Sequence, residues 1–215
     1  DAEFLKRTDF AIFPVRNALR YIQDRPLGRS GGSQGDDFFT AANPPFGAVF
    51  TYYLKETLET RKSKRQTKEK ETKKAGGDNV YPGWEKLKKE EREEAPVLLF
   101  TVSNKAGDVI TRITAPAKSG LHRISWNLRY SGFSGMPGSG PFVTPGEYIV
   151  SAAKRVDDVE TAIGDPQTFI VESIGESTPA NQQLQATLDF QMQAGQLRQA
   201  VVGTTRKLEE MQTQL

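Results

Sequence analysis

Apolar and polar side chains alternate most clearly in the stretch 120–130. His122, Ile124, Trp126, Leu128 and Tyr130 fall on one face, and Leu121, Arg123, Ser125, Asn127 and Arg129 on the other. A period of two with an aromatic-rich face predicts a half-buried strand of an antiparallel sheet. Trp126 carries the largest apolar surface in it, so neighbouring strands are expected to pack onto that ring. Residues 48–55 read as the first core strand, with Val49, Thr51 and Tyr53 on one face and Phe50, Tyr52 and Leu54 on the other. Both faces are apolar or aromatic, which predicts an interior or covered position.

The runs 97–103 and 109–114 flank Asn104-Lys-Ala-Gly-Asp108 and predict a hairpin, Gly107 supplying the positive φ of its turn. After 131–145, rich in Gly, Ser and Pro, comes a strand over 147–154 with Tyr148, Val150 and Ala152 on one face. Val156-Asp-Asp-Val159 is a second hairpin turn, and 168–171 the last strand. Short strands separated by turns predict a mainly β fold, an antiparallel β-sandwich of the fibronectin/immunoglobulin kind. Trp126, Tyr148, Phe169, Phe100 and Val49 are expected between its sheets.

A different period governs the last forty residues. Thr178-Pro179 is a helix start, Thr at the N-cap and Pro at N1. Apolar or small residues then recur at Phe190, Ala194, Leu197, Val201, Thr204, Leu208, Met211 and Leu215, in steps that alternate four and three. That is a heptad seam, weakened at Gly195 and Gly203, and it calls for a partner helix. Either the helix lies on its own sandwich or its partner is outside the chain.

The remaining stretches divide the chain. Residues 1–46 read as an extended leading segment or linker in which Phe4, Phe10, Ile12, Phe13 and Val15 lie across a sheet or against a preceding domain; 28–35 form a flexible glycine-rich loop. The sandwich covers 47–175, and 176–215 is the C-terminal helical segment. Residues 57–95 interrupt the sandwich as a charged helical insertion. Within it Arg61–Lys74 holds eight Lys/Arg against two Glu, without interleaved aromatics or an apolar face. This predicts a solvated helix or connector rather than a nucleic-acid surface. Trp84 and Leu87 are expected to pin the following short helix to the sandwich.

Composition narrows the chemistry. A net charge of +2 on 215 residues exerts no global pull towards nucleic acid or membrane, and no apolar run reaches the ~18 residues of a spanning helix. Without an initiator Met or a leader at Asp1, and with helix-like sequence running to Leu215, the chain reads as a piece of something longer. No Cys is present, which removes disulfides and thiolate chemistry, and the single His122 removes a multi-histidine metal site. His122 sits in a strand and no nucleophile-elbow sequence accompanies it. Asp36-Asp37 and Asp157-Asp158 are adjacent acids in loops, and Asp157-Asp158 lacks the Gly and trailing Glu of a calcium loop. No catalytic, cofactor or metal constellation is apparent.

Four segments together carry a resemblance. They are Asn43-Pro-Pro-Phe-Gly-Ala-Val-Phe-Thr-Tyr-Tyr-Leu-Lys55, Tyr81-Pro-Gly-Trp-Glu-Lys-Leu87, Gly120-Leu-His-Arg-Ile-Ser-Trp-Asn-Leu-Arg-Tyr130 and Pro145-Gly-Glu-Tyr-Ile-Val150. Over roughly 38–200 the chain resembles the C-terminal region of large bacterial sortilin-like, BNR-repeat β-propeller proteins, often labelled glycosyl hydrolase-like. The resemblance implies an exported protein, periplasmic or at the cell surface, in which a sandwich follows a propeller. No blade repeat or Asp-box occurs here, so no catalytic residue of that family maps onto this chain. Two functions from different classes follow. One is a non-enzymatic accessory domain that docks the propeller or a partner protein, with Leu197, Val201, Leu208 and Met211 of the seam in contact. The other is glycan binding through the aromatics Tyr81, Trp84 and Phe133 near loops.

Overall fold

The computed structural model describes residues 7–23, 43–133, 138–174 and 180–213. In chain order the elements are β1 (Phe10–Ile12), β2 (Ala18–Arg20), β3 (Ala48–Leu54), α1 (Arg61–Lys74), α2 (Trp84–Arg92), β4 (Val97–Asn104), β5 (Val109–Ala115), β6 (Gly120–Trp126), β7 (Gly146–Val156), β8 (Val159–Ser173) and α3 (Ala180–Thr213). Strand residues make up about 36% and helical residues 31%, so the expectation of a mainly β chain gives way to a mixed one: two sheets and a long C-terminal helix. The reason is α3, which supplies 34 helical residues by itself.

One sheet has the order β1-β3-β6, the other β2-β8-β7-β4-β5. All pairings are antiparallel except β2 with β8, which run parallel with Ala18 opposite Val171. The interior is aromatic and drawn from both sheets. Phe50 and Tyr52 of β3 meet Phe100 of β4 at ring-centroid distances of 6.4 and 5.0 Å, and Phe50 meets Phe169 of β8 edge-on at 5.5 Å. Trp126, 2% exposed, packs on Tyr148 and Phe169 at 5.7 and 6.2 Å, as its place in the alternation predicts. Its indole Nε1 donates to the Arg129 carbonyl at 2.9 Å, which satisfies the polar edge of a buried ring.

Strand β6 stops at Trp126 although burial keeps alternating beyond it. Leu128 has a φ of 58° and is fully buried, a left-handed conformation that a branched residue adopts only when its surroundings impose it. Here its carbonyl accepts from Val143 at 2.9 Å, and Arg129 forms an isolated bridge with Phe142. Residues 129–133 and 138–142 thereby form a lip on the edge of the core.

Three expectations are corrected. Val49 is half-buried on the outer face of β3; Ala48, Phe50, Tyr52 and Leu54 point inward instead. With both faces apolar, alternation alone left the inward face of this strand undetermined, and the larger rings took the core. Within 1–46, residues 10–20 contribute a strand to each sheet rather than an extended run, with Phe10, Ala11, Ile12 and Ala18 buried. Phe13 donates its amide to the Thr51 carbonyl at 2.9 Å and Val15 packs against the core, whereas Phe4, 28–35 and, at the far end, the helix start at Thr178-Pro179 lie outside the described residues. The last strand runs over Val159–Ser173 rather than 168–171. Its register against β7 shifts between Val150 and Ala152, opposite Gly164-Asp165-Pro166. Gly164 is left-handed there, and a Cβ on it would come within 2.8 Å of the Phe10 ring, so β1 can cross the bulge only over a glycine.

Both predicted hairpins are present. Gly107 has a φ of 92°, and Asp157 and Asp158 both have positive φ, 51° and 62°, the two-residue turn that matches strand twist. Helix α1 starts on Thr60, whose hydroxyl accepts from the Ser63 amide at 3.1 Å.

Candidate functional site

The residues singled out from sequence fall in two places. Tyr81 and Trp84 lie on the insertion, 66% and 65% exposed. The expectation that Trp84 pins α2 to the sheets is therefore corrected: its ring faces solvent, with the Lys88 ammonium 5.9 Å from its centroid, while Leu87 is half-buried. Neither α1 nor α2 has a buried residue. Charge holds them instead. Arg65 forks between Glu90, with Nε at 2.9 and 3.0 Å from its two oxygens, and Glu69 at 2.6 Å. The Glu90 carboxyl is held below the usual carboxylate range by that hydrogen bond. Arg61 is bound to the β7–β8 turn through Asp157, and its amide donates to Glu93 at 2.7 Å.

Phe133 is separated from that pair and packs under α3. A Cβ on Gly195 would sit 2.2 Å from its ring, and Gln199 Nε2 donates to the Phe133 carbonyl at 3.1 Å. Gly195, read from sequence as a weakness of the helix, is thus the opening that admits this ring. The structure does not bring Phe133 together with Tyr81 and Trp84 as one aromatic platform.

Helix α3 rests on the body through a face the heptad reading missed. Leu184 and Leu188, one turn apart, face a cleft that also contains Arg20, Arg129 and Phe142; Leu188 is 5% exposed. Their four-residue spacing, continued by Met192 and then three residues on by Gly195, was the available signal, obscured by the longer seam that begins at Phe190. That seam lies on the other side. Phe190, Leu197, Val201, Leu208 and Met211 are all exposed, and every described residue from 196 to 213 is solvent-facing. At ~1.5 Å per residue the part of the helix beyond Gln199 extends about 20 Å.

The polar side of the cleft is cationic. Arg129 stacks on Phe142, its guanidinium carbon 3.5 Å from the ring centroid, and donates through Nη1 to the Gly140 carbonyl at 3.0 Å. Arg20 lies 5.4 Å from the same ring. Burial, then the neighbouring Arg20 charge, lowers the Arg129 pKa. Sequence placed Arg129 on the outer face of a strand, and nothing in the alternation indicated that the strand would end three residues before it.

Other titratable groups are occupied in the frame. His122 stacks on Tyr52 at 5.4 Å, with Nε2 2.8 Å from the Lys118 carbonyl. Burial pushes the Tyr52 phenol up to about 12, and its hydroxyl donates to the Pro116 carbonyl at 2.7 Å. Among the described residues no group of three or more His, Asp or Glu stands where it could hold a metal, and no helix is long and apolar enough to cross a membrane. Comparison with protein-family models, curated proteins and solved structures finds no match to this chain.

Proposed function

We propose that this chain is a non-catalytic accessory domain of a larger exported bacterial protein of the sortilin-like, BNR-repeat propeller kind, and that α3 docks the propeller or a partner protein. The observation that carries the reading is the seam of Phe190, Leu197, Val201, Leu208 and Met211. Large apolar groups at heptad spacing are exposed along one face, and contiguous apolar surface of this sort marks interaction sites. A periplasmic or cell-surface location belongs to the same reading and rests on the resemblance alone.

Two features support a fibronectin/immunoglobulin-like sandwich as the scaffold. The order β1-β3-β6 facing β2-β8-β7-β4-β5 fits strands A, B and E opposite G, F, C and C′, with the first strand split between the sheets. Tyr148, near the start of β7, donates its hydroxyl to the Thr144 carbonyl at 2.7 Å, the arrangement of a tyrosine corner. In this register α1 and α2 are an insertion between strands B and C.

The intact mass of the native polypeptide tests the first half of the proposal: a mass equal to this chain alone removes the propeller. Leu197→Asp with Val201→Asp tests the second half. The double variant should fold normally and lose association with the propeller or partner; unchanged association removes α3 from the docking surface. A second reading, a glycan-binding module of a glycosyl hydrolase-like protein, is favoured by the exposure of Tyr81 and Trp84 on one short turn. A glycan array probed with wild type and Trp84→Ala decides it, and an array without hits removes it.

A further inference from the structure

We propose that the cleft between the first turns of α3 and the lip formed by residues 129–133 and 138–142 binds an oxyanion, a carboxylate or phosphate carried on an apolar body, through Arg20 and Arg129. The cleft has a volume of about 480 Å³, the size of a small organic ligand. Arg20 Nε is buried and has no hydrogen-bond partner, a donor stripped of water with nothing in exchange. Arg129 reaches the same place over the same Phe142 ring. Among the described residues no acidic residue lines the cleft and neither arginine is in an ion pair. The nearest acid on the helix in sequence, Asp189, accepts from Gln185 instead.

One oxyanion would satisfy Arg20 Nε and relieve the repulsion between two guanidiniums, whose planar forks match carboxylate and phosphate oxygens. The remaining walls select what carries it. Leu184, Leu188 and Phe133 offer apolar surface beside the arginines, which favours an anionic group on a hydrocarbon or aromatic body over a free ion. This site is separate from the exposed seam and stands whether or not α3 docks a partner.

The experiment is calorimetric titration of the whole chain with benzoate, acetate and inorganic phosphate at low salt. Saturable one-to-one binding that weakens as sodium chloride is added is expected, with benzoate tighter than acetate if the apolar walls take part. Comparison of the carboxylates with phosphate identifies which oxyanion the site prefers. Thr187→Glu places a carboxylate at the cleft from an exposed helical position and should weaken binding about tenfold or more, the scale of a lost charge-assisted hydrogen bond, while Thr187→Gln leaves it intact. Arg129→Gln should weaken it comparably and Arg129→Lys less. Absence of saturable binding for all three anions, or binding that survives both Thr187→Glu and Arg129→Gln, overturns the proposal.

Discussion

The interior between the two sheets and the pair of helices inserted between β3 and β4 are held by opposite means. Phe10, Phe50, Tyr52, Phe100, Trp126, Tyr148 and Phe169, drawn from both sheets, interlock in the interior, and each is fixed by others of the set. In the insertion no side chain is buried, and α1 and α2 meet through Arg65, Glu69 and Glu90, with Arg61 reaching Asp157 at the β7–β8 turn. Packing of rings tolerates no gap and ignores pH; ion pairs near the surface do the reverse, contributing little and yielding to salt and acid. The comparison teaches that the insertion can change sequence, length or charge while the sheets stay as they are.

Removing the centre of the interior should have the largest effect. Trp126→Ala should cost about 3–5 kcal/mol, read from chemical denaturation, because the Tyr148 and Phe169 rings lose a shared partner. Against a total of about 5–15 kcal/mol this leaves the domain marginal. Leu121→Ala in the same strand, at a side chain 62% exposed, should be close to neutral. Arg129→Ala, a neutral control by alternation alone, is not one here, because Arg129 is stacked on Phe142 and bonded to Gly140.

Two glycines of α3 sharpen the contrast between packed and unpacked helix. Gly203→Ala meets nothing within 4 Å and should stabilise the helix by about 1 kcal/mol. Gly195→Ala should go the other way, since its Cβ would displace the Phe133 ring; overpacking of this kind costs about 1–3 kcal/mol. Hydrogen exchange along 184–213 measures both, and protection that rises in Gly195→Ala would show that the ring yields freely.

Acid should separate the regions without touching the core. The Glu90 carboxyl titrates lower in the folded chain than in the unfolded one, so its contribution is full above the unfolded value of about 4.3 and disappears as pH falls through the lower folded value. Helix contacts followed by nuclear magnetic resonance should therefore loosen below about pH 4, and Arg65→Gln should abolish that dependence. The smallest effect is expected from replacing residues 61–74 with a short neutral linker, which should leave the melting temperature nearly unchanged. A loss of many degrees would show that the insertion braces the sheets.

Legibility in the sequence followed the length and sidedness of each element. Strands β4 to β7 were readable because each runs over seven or more positions rich in β-branched and aromatic residues, β6 and β7 show a period of two, and the turns carry Gly107 and Asp157-Asp158. Three-residue strands such as β1 and β2 have no period to detect, and Gly164-Asp165-Pro166 disguises the middle of β8 as a loop. The exposed residues of α3 were legible from heptad spacing; the cleft was not. Arg20, Arg129, Phe142 and Leu188 come from four separate stretches, and only the left-handed turn at Leu128 and the seat of α3 bring them together.

The parallel pairing of β2 with β8 has a mechanical consequence. Chain leading into β2 leaves from the opposite end of the ladder to chain leaving β8 towards α3. Tension applied along the polypeptide therefore slides these strands past each other, and their backbone bonds bear the load together instead of opening one after another. Stretching single molecules makes this observable: Leu19→Pro, which disrupts β2 at its midpoint, should lower the rupture force, whereas shortening the insertion should not. In this geometry the three residues of β2 act as a clasp for the whole fold under tension.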